Sequence, residues 1–558
     1  MMVSALLLAG CQSAVAPQNC AQAGDACVRF SILHTNDHHG RFWRNKYDEY
    51  GMAARKTLID EQRAQIATAG GQSLLLSGGD INTGVPESDM QDAVPDFIGM
   101  NLIGYDAMAV GNHEFDNEMS VLEMQRQLAE FPMLAANIFK RDANRSVTAE
   151  HYFEPYRIFK LNGVTLAVVG MTTKDTAHLV HPDNVDDVYF ADPIEVMPSV
   201  LKEIREYHPD VQLVFALTHM GHYADGNHGS EAPGDVKMAR ALMPGQLHGI
   251  IGGHSQNPVC MEPGGKQYAD FKPGDDCVPD RQNGTWIMQA YEWGKYVGRA
   301  DFGYFNGQLE LLNYQLIPVN LKLRDANGER QSAGPVIPED PMMLQTLAPY
   351  QQTGEQLLDQ RIAYSEVLLD GQRDSVRSRQ TNLGYLMGEA FRNHELVKAD
   401  FAVINAGGVR ASIEPGVISY RDVLTVQPFG NFVTKATMTG SQLQIYLDQV
   451  TSLTGGGLAQ LSNIKLDVDC DARQAKIHSI GGRPFSPAET YSFAISGFSA
   501  AGGDGYPIID VLNLQQTDAQ VFREYLQQKG NIVESELSLG NNVRYFVGKK
   551  RVNSCAER

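Results

Sequence analysis

The sequence predicts an α/β protein of two domains joined by a helical connector, and three observations carry that expectation. The chain of 558 residues is longer than one hydrophobic core usually serves. From Val28 to about Leu316, short apolar runs alternate with longer amphipathic stretches such as Met52 to Arg63, the pattern of strands alternating with helices. Five of the apolar runs end in polar clusters. In open α/β sheets ligands bind beyond the carboxyl ends of the strands, so these clusters are expected to converge on one crevice.

Taken in order, the chain opens with an apolar run, Met1 to Gly10, that is too short to span a bilayer and reads as part of an export signal. Leu8-Ala9-Gly10-Cys11 resembles the bacterial lipobox, in which the cysteine is lipidated, although no Lys or Arg precedes the apolar run. The alternative is a plain secretory peptide with an incidental cysteine. Gln12 to Asp25 is small and polar, so residues 1–27 are expected to be leader and tether. The first domain is expected over residues 28–341. Its strand runs and the clusters after them are Phe30 to Leu33 before Asp37-His38-His39, Leu74 to Leu76 before Gly78-Gly79-Asp80, and Asp106 to Val110 before Gly111-Asn112-His113. Leu213 to Leu217 precedes His219, and Ile250-Ile251 precedes His254-Ser255-Gln256. Val164 to Val169 and Trp286 to Ala290 carry no such cluster and are expected only to fill the sheet. The polar, Gly- and Pro-rich stretch from Asn320 to Pro341 marks a boundary, residues 342–363 a connecting helix, and 364–558 a second domain. There, Thr381 to Phe391 reads as an amphipathic helix and Asp400 to Ile404 as a strand running into Asn405.

The formal charge of −20 argues against a nucleic-acid polymer as partner, because such binders usually carry a basic footprint. An anionic small substrate would need local cations, either metals or clustered arginines. Seven cysteines, less Cys11, leave six for an oxidising compartment. Cys20 with Cys27 and Cys260 with Cys277 are close enough to close small loops, which leaves Cys470 with Cys555. No CxxC spacing suggests a thiolate metal site.

Asp37, His39, Asp80, Asn112, His219, His254 and Gln256 together offer imidazole, carboxylate and amide groups suited to divalent metals. Two cations about 3.5–4 Å apart clamp the oxygens of an in-line displacement and need a bridging carboxylate, for which Asp80 is the candidate. His113 adjoins a ligand candidate, and Asp116 three residues on can orient its ring for charge stabilisation or proton transfer. Competing chemistries lack their residues. Gly79 to Gly84 has P-loop spacing but Val85 stands where lysine is required, Gly-x-Ser-x-Gly is absent, and His113-Glu114 lacks the second zincin histidine.

In the second half, Arg373, Arg377 and Arg410 are candidates for a forked anion site. Phe429 and Phe498 lie in Gly-rich loops and could sandwich a base, while Asp504 could hold sugar hydroxyls. A single substrate must then touch both domains.

These motifs in this order resemble the bacterial 5′-nucleotidase and UDP-sugar hydrolase family of the calcineurin-like metallophosphoesterase superfamily, from about Phe30 to about Pro507. The resemblance implies a four-layer α/β-β/α catalytic domain and a C-terminal α/β nucleotide-binding domain. It implies one metal on Asp37, His39, Asp80 and Gln256 and another on Asp80, Asn112, His219 and His254, with Zn, Mn, Mg and Co all candidates. His113 and Asp116 match the family's catalytic dyad. Arg373, Arg377, Asn405, Arg410, Phe429, Asn431, Phe498 and Asp504 fall on the substrate motifs. Asn405-Ala-Gly-Gly departs from the Ser-Gly-Gly or Asn-Gly variants of other members. The expected activity is metal-dependent hydrolysis of nucleotides to nucleoside and phosphate. UDP-sugar pyrophosphatase or 2′,3′-cyclic phosphodiesterase activity are the enzymatic alternatives, and a non-catalytic nucleotide- or sugar-binding lipoprotein is the alternative of another class. The chain is expected to be an exported periplasmic or outer-membrane lipoprotein, monomeric, with nucleotides and a membrane as partners.

Overall fold

The computed structural model describes residues 19–180, 182–224, 226–228, 232–262, 266–267, 271–324, 329–537 and 542–558. Cys11 and its apolar leader lie outside them.

Two six-stranded sheets form the catalytic domain. In one, the parallel strands Val28–Thr35, Gln72–Ser77, Ala107–Ala109 and Met133–Leu134 are extended at the edge by the antiparallel Tyr296–Phe305 and Gln308–Pro318. In the other, Val164–Thr172, Leu213–His219, Gly249–Ile251 and Thr285–Met288 run parallel between antiparallel edges. Side chains alternate across a strand, and the core divides accordingly. Phe30, Ile32, Leu74, Leu76, Val168 and Phe215 pack between the sheets. Leu33, Leu75 and Met108 face outward onto the helices Met52–Thr68 and Val94–Ile103. Ala167, Val169, Ala216 and Ile250 face the helix Pro193–Tyr207 on the other side. The strands are apolar throughout because both of their faces are covered. The order of layers is helix, sheet, sheet, helix.

The C-terminal domain is built on a five-stranded sheet centred on Phe401–Asn405, Thr490–Ser496 and Phe432–Thr439, with a second five-stranded and a third three-stranded sheet beside it. Thr381 caps the helix Asn382–Asn393 through its side chain, which accepts from the backbone amide of Gly384.

Three boundaries differ from expectation. The connector expected over 342–363 is a helix over Pro341–Leu358, and Arg361–Ser365 is a strand paired with Gly416–Ser419 and Asn531–Ile532. Its first turns belong to the catalytic domain, where Met343 and Leu347 join the core around Met52. The boundary stretch after Asn320 carries the short strands Lys322–Arg324 and Arg330–Ser332 and is tied back by a 2.9 Å bond from the Lys322 amide to Glu49. The tether expected through residue 27 gives way before that to a turn of helix, Cys20–Ala23, with Cys20 buried against Gly303.

Three disulfides join Cys20 to Cys27, Cys260 to Cys277 and Cys470 to Cys555. They fit an oxidising compartment. No helix among the described residues is long and apolar enough to cross a membrane.

Candidate dinuclear metal site and interdomain cleft

The five polar clusters leave the carboxyl ends of parallel strands in both sheets and meet where the sheets face each other. Glycine makes the meeting possible. A Cβ on Gly78 would lie 2.5 Å from the Gly252 carbonyl, and one on Gly111 would lie 2.1 Å from the Asp80 carboxylate. At Gly78 backbone therefore packs on backbone between loops of different sheets, whereas at Gly111 the chain packs on the Asp80 side chain from the adjacent strand's loop. Asp37, His39, Asp80, His254 and Gln256 all take positive φ, between 50° and 79°. Such a conformation costs a non-glycine residue about 1–2 kcal/mol, least for Asp, Asn and His. The surrounding fold must hold these five in place.

Asp80 stands at the centre. Its Oδ2 lies 2.9 Å from His219 Nε2 and 3.8 Å from His39 Nε2, and its Oδ1 accepts the His113 backbone amide at 2.9 Å. His39 Nε2 is 3.9 Å from Asp37 Oδ1 and 2.8 Å from Gln256 Nε2, while His254 Nδ1 is 2.9 Å from Asn112 Oδ1. Metal-ligating atoms of His39, Asp80 and His113, and again of Asp80, His219 and His254, lie within 4.8 Å of one another. Asp80 belongs to both sets. His113 enters the first set by proximity, but its Nδ1 is committed to Asp116 Oδ2 at 2.5 Å.

The protonation energetics fit a site built for cations. Burial pushes Asp37 up to about 7, and the Asp80 carboxylate adds to this against the opposing effect of His219. His219 Nδ1 meets the Gly78 carbonyl at 2.7 Å, whereas its Nε2 is fully buried and aimed at Asp80 out of line for a hydrogen bond. Such an orphaned nitrogen beside two buried carboxylates is what divalent metal ions satisfy. Burial disfavours the charged form of His113, yet Asp116 and then Asp80 outweigh it and hold the ring up at about 9.

The groups that hold this shell are not ligand candidates themselves. Glu114, buried, accepts the backbone amides of Asp80, Ile81 and Gly111 at 3.1, 2.7 and 2.6 Å, locking the Asp80 loop to the Asn112 loop. Between two ligand candidates, His38 turns away and bonds Asp96 at 2.7 Å, with Arg55 3.1 Å from its other nitrogen. Asn36 donates to Asp37 at 2.7 Å and to the Tyr291 carbonyl at 2.5 Å. Asn36 and His38 adjoin ligand candidates in sequence and Glu114 adjoins His113, the signal that could have found them.

Facing the cluster across a cleft is the C-terminal domain. A cavity of about 370 Å³ is lined by His39, His113 and Gln256 from one domain and by Arg373, Arg377, Arg410 and Phe429 from the other. A smaller one of about 170 Å³ adjoins it, with Asn405, Asn431, Phe498 and Asp504 in its wall beside His113, Asp116 and Phe429. The Phe429 ring lies parallel to His113 at 6.1 Å, and Arg410 sits over its face at 5.2 Å. Asn405 donates to Asp504 at 2.7 Å. Arg410 keeps surface open to solvent in the cleft, but enclosure between the domains and the charges of Arg377 and Arg373 draw it down to about 10. The structure thus brings all seven metal-ligand candidates together in one domain and all eight substrate candidates to the opposing wall or its immediate neighbourhood.

This is the architecture of a metal-dependent phosphoesterase domain facing a second α/β domain across a cleft. Comparison with known families agrees: "Calcineurin-like phosphoesterase" matches residues 30–258, and "5′-nucleotidase, C-terminal domain" matches 361–510. A 5′-nucleotidase of Vibrio cholerae is 50% identical over 96% of this chain and 97% of its own length. Protein UshA of Escherichia coli K12 is 49% identical over 90% and 92%. The crystal structure of a 5′-nucleotidase precursor from Thermus thermophilus superposes with a TM-score of 0.69, at 26% identity, over 94% of this chain and 100% of that one. The chain belongs to the 5′-nucleotidase family of calcineurin-like phosphoesterases, enzymes whose fold implies divalent metal ions.

Proposed function

We propose that this enzyme hydrolyses nucleotides to nucleoside and phosphate, using a pair of divalent cations bridged by Asp80. The observation that carries this reading is the shared cleft, in which a two-centre ligand cluster faces arginines and half-buried aromatic rings on another domain. Asp37, His39, Asp80 and Gln256 would hold one ion, and Asp80, Asn112, His219 and His254 the other. Bound there, the ions supply Lewis-acid polarisation of a phosphoryl group and of an attacking water. Nitrogen, carboxylate and amide donors suit Zn, Mn, Co or Mg.

The chain's own groups do the rest. Arg373, Arg377 and Arg410 bind phosphate oxygens through forked hydrogen bonds. Phe429 and Phe498 flank a base, Asp504 and Asn405 hold the ribose, and Asn431 lines the same wall. His113, its tautomer set by Asp116, presents the other ring nitrogen to the transferring group. Phosphate release from a panel of nucleoside mono-, di- and triphosphates, together with formation of UMP and glucose 1-phosphate from UDP-glucose and of an adenosine monophosphate from 2′,3′-cyclic AMP, each with and without a chelator, tests the reading. Release is expected to need metal and to be restored by Mn, Mg, Zn or Co. Silence on every substrate in all four metals would leave only a binding protein.

The proposed location is the periplasm, with Cys11 carrying a lipid anchor. The disulfides support export, and the Leu8 to Cys11 motif supports the anchor. Cys11→Ser is expected to move the protein from the membrane to the soluble fraction. Unchanged membrane association would refute the anchor.

A further inference from the structure

The larger cavity holds one wall that the nucleotide reading leaves unused. Arg41 lines it from the catalytic domain, together with Thr83, Gly84, Glu292 and Trp293. Its guanidinium lies 4.1 Å from the centre of the Trp293 ring and donates to the His39 carbonyl. Trp293 is in turn anchored, because its backbone amide donates to the Asp37 carbonyl at 2.7 Å and its ring lies 4.1 Å from the Lys295 ammonium. Two acids, Glu292 and Asp89, act on Arg41 from nearby, but Glu292 is engaged with Lys295 at 2.6 Å and Asp89 accepts the Gly84 amide at 3.2 Å, while Tyr50 hydrogen-bonds the guanidinium. Arg41 is thus held rigidly from behind without a carboxylate partner at ion-pairing distance among the described residues.

Arg373, Arg377 and Arg410 likewise have no carboxylate at ion-pairing distance among the described residues. One cavity in a protein of formal charge −20 therefore gathers four arginines, none of them ion-paired among the described residues, beside a cluster of metal-ligand candidates. A phosphate monoester carries a charge of only about −2 at neutral pH. Cations at the ligand cluster and three arginines from the C-terminal domain already exceed that charge, and a fourth, preorganised guanidinium points to a further anionic group. The cavity of about 370 Å³ is also more than twice the volume of the adjoining lobe with Phe498 and Asp504.

We infer that Arg41, braced by Trp293, is a specificity-determining residue that binds a second phosphoryl group and thereby raises selectivity for substrates with more than one phosphate relative to nucleoside monophosphates. This rests on the nucleotide-hydrolase reading. A second phosphoryl group can come from a linear di- or triphosphate chain or from a pyrophosphate diester such as a nucleotide sugar, and the two are separable by assay.

Arg41→Ala, Arg41→Lys and Trp293→Phe would be compared with the parent on UMP, UDP and UDP-glucose in saturating metal, with metal content and melting temperature measured for each. The expected result for Arg41→Ala is a roughly tenfold fall in the ratio of kcat/KM for UDP or UDP-glucose to that for UMP, carried by KM and not kcat, with partial recovery in Arg41→Lys. Calorimetric titration with a non-hydrolysable methylene analogue of UDP should show the same loss relative to UMP. A fall confined to UDP assigns the linear chain, and one confined to UDP-glucose assigns the diester. Equal losses on all three substrates would overturn the inference and reduce Arg41 to a support of the His39 loop; so would no change in the ratio. A parent that releases phosphate from UMP but shows these outcomes sinks only this inference, whereas a parent inactive on all three sinks the nucleotide reading with it.

Discussion

Alanine at Asp80 is expected to lower kcat by roughly 10³-fold or more, which corresponds to about 4 kcal/mol of lost transition-state stabilisation. The size follows from position. Asp80 approaches His219 and His39 through one oxygen and fixes the His113 backbone through the other, so one substitution disturbs both ligand sets and the dyad's main chain. Metal analysis should show the substituted protein binding less than the parent's complement. The fold should survive, because Glu114 still ties the Asp80 loop to the Asn112 loop through backbone amides. Substantial turnover with a full complement of metal would mean that Asp80 does not bridge.

His113→Ala should cost about 10²–10³ in kcat with KM and metal content close to the parent's. His113 is held by its Nδ1 on Asp116, so the side chain contributes through the nitrogen that faces the cleft. Asp116→Asn should cost less, since the ring remains and only its orientation and charge are weakened. If His113 acts on the transferring phosphoryl group, the loss should be equally large for a p-nitrophenyl phosphoester, whose leaving group needs no proton. A loss that shrinks sharply with that substrate would move the role of His113 to the leaving oxygen. A loss below threefold would remove His113 from the chemistry altogether.

Much of the architecture was legible because its signals are local. Leu74 to Leu76 and Leu213 to Leu217 are apolar at successive positions, which marks strands covered on both faces, and Gly78-Gly79 and Gly252-Gly253 announce sharp breaks after strands. The connecting helix is shorter than its sequence pattern suggests, for an equally local reason. Leu357-Leu358 and Ile362-Ala363 continue an apolar pattern, and only pairing with Gly416–Ser419 and Asn531–Ile532 converts Arg361–Ser365 into a strand. Hydrogen-bond partners some 50 and 170 residues away leave no local trace.

The sequence by itself determined the inventory: which residue types stand at which strand ends, how many cysteines can pair, and that arginines and aromatic rings lie far along the chain from the metal-ligand candidates. Tertiary structure alone decided the geometry among them. Side-chain identity does not reveal that Asp37, His39, Asp80, His254 and Gln256 sit at positive φ, because that conformation is unfavourable for each residue and is imposed by loops locked through Glu114, Asn36 and the His38–Asp96 pair. Nor could it show that Arg41 shares a cavity with Arg373, Arg377 and Arg410. Local propensities act over a few residues, whereas a site is assembled from segments hundreds of residues apart whose approach is set by how two sheets and two domains pack.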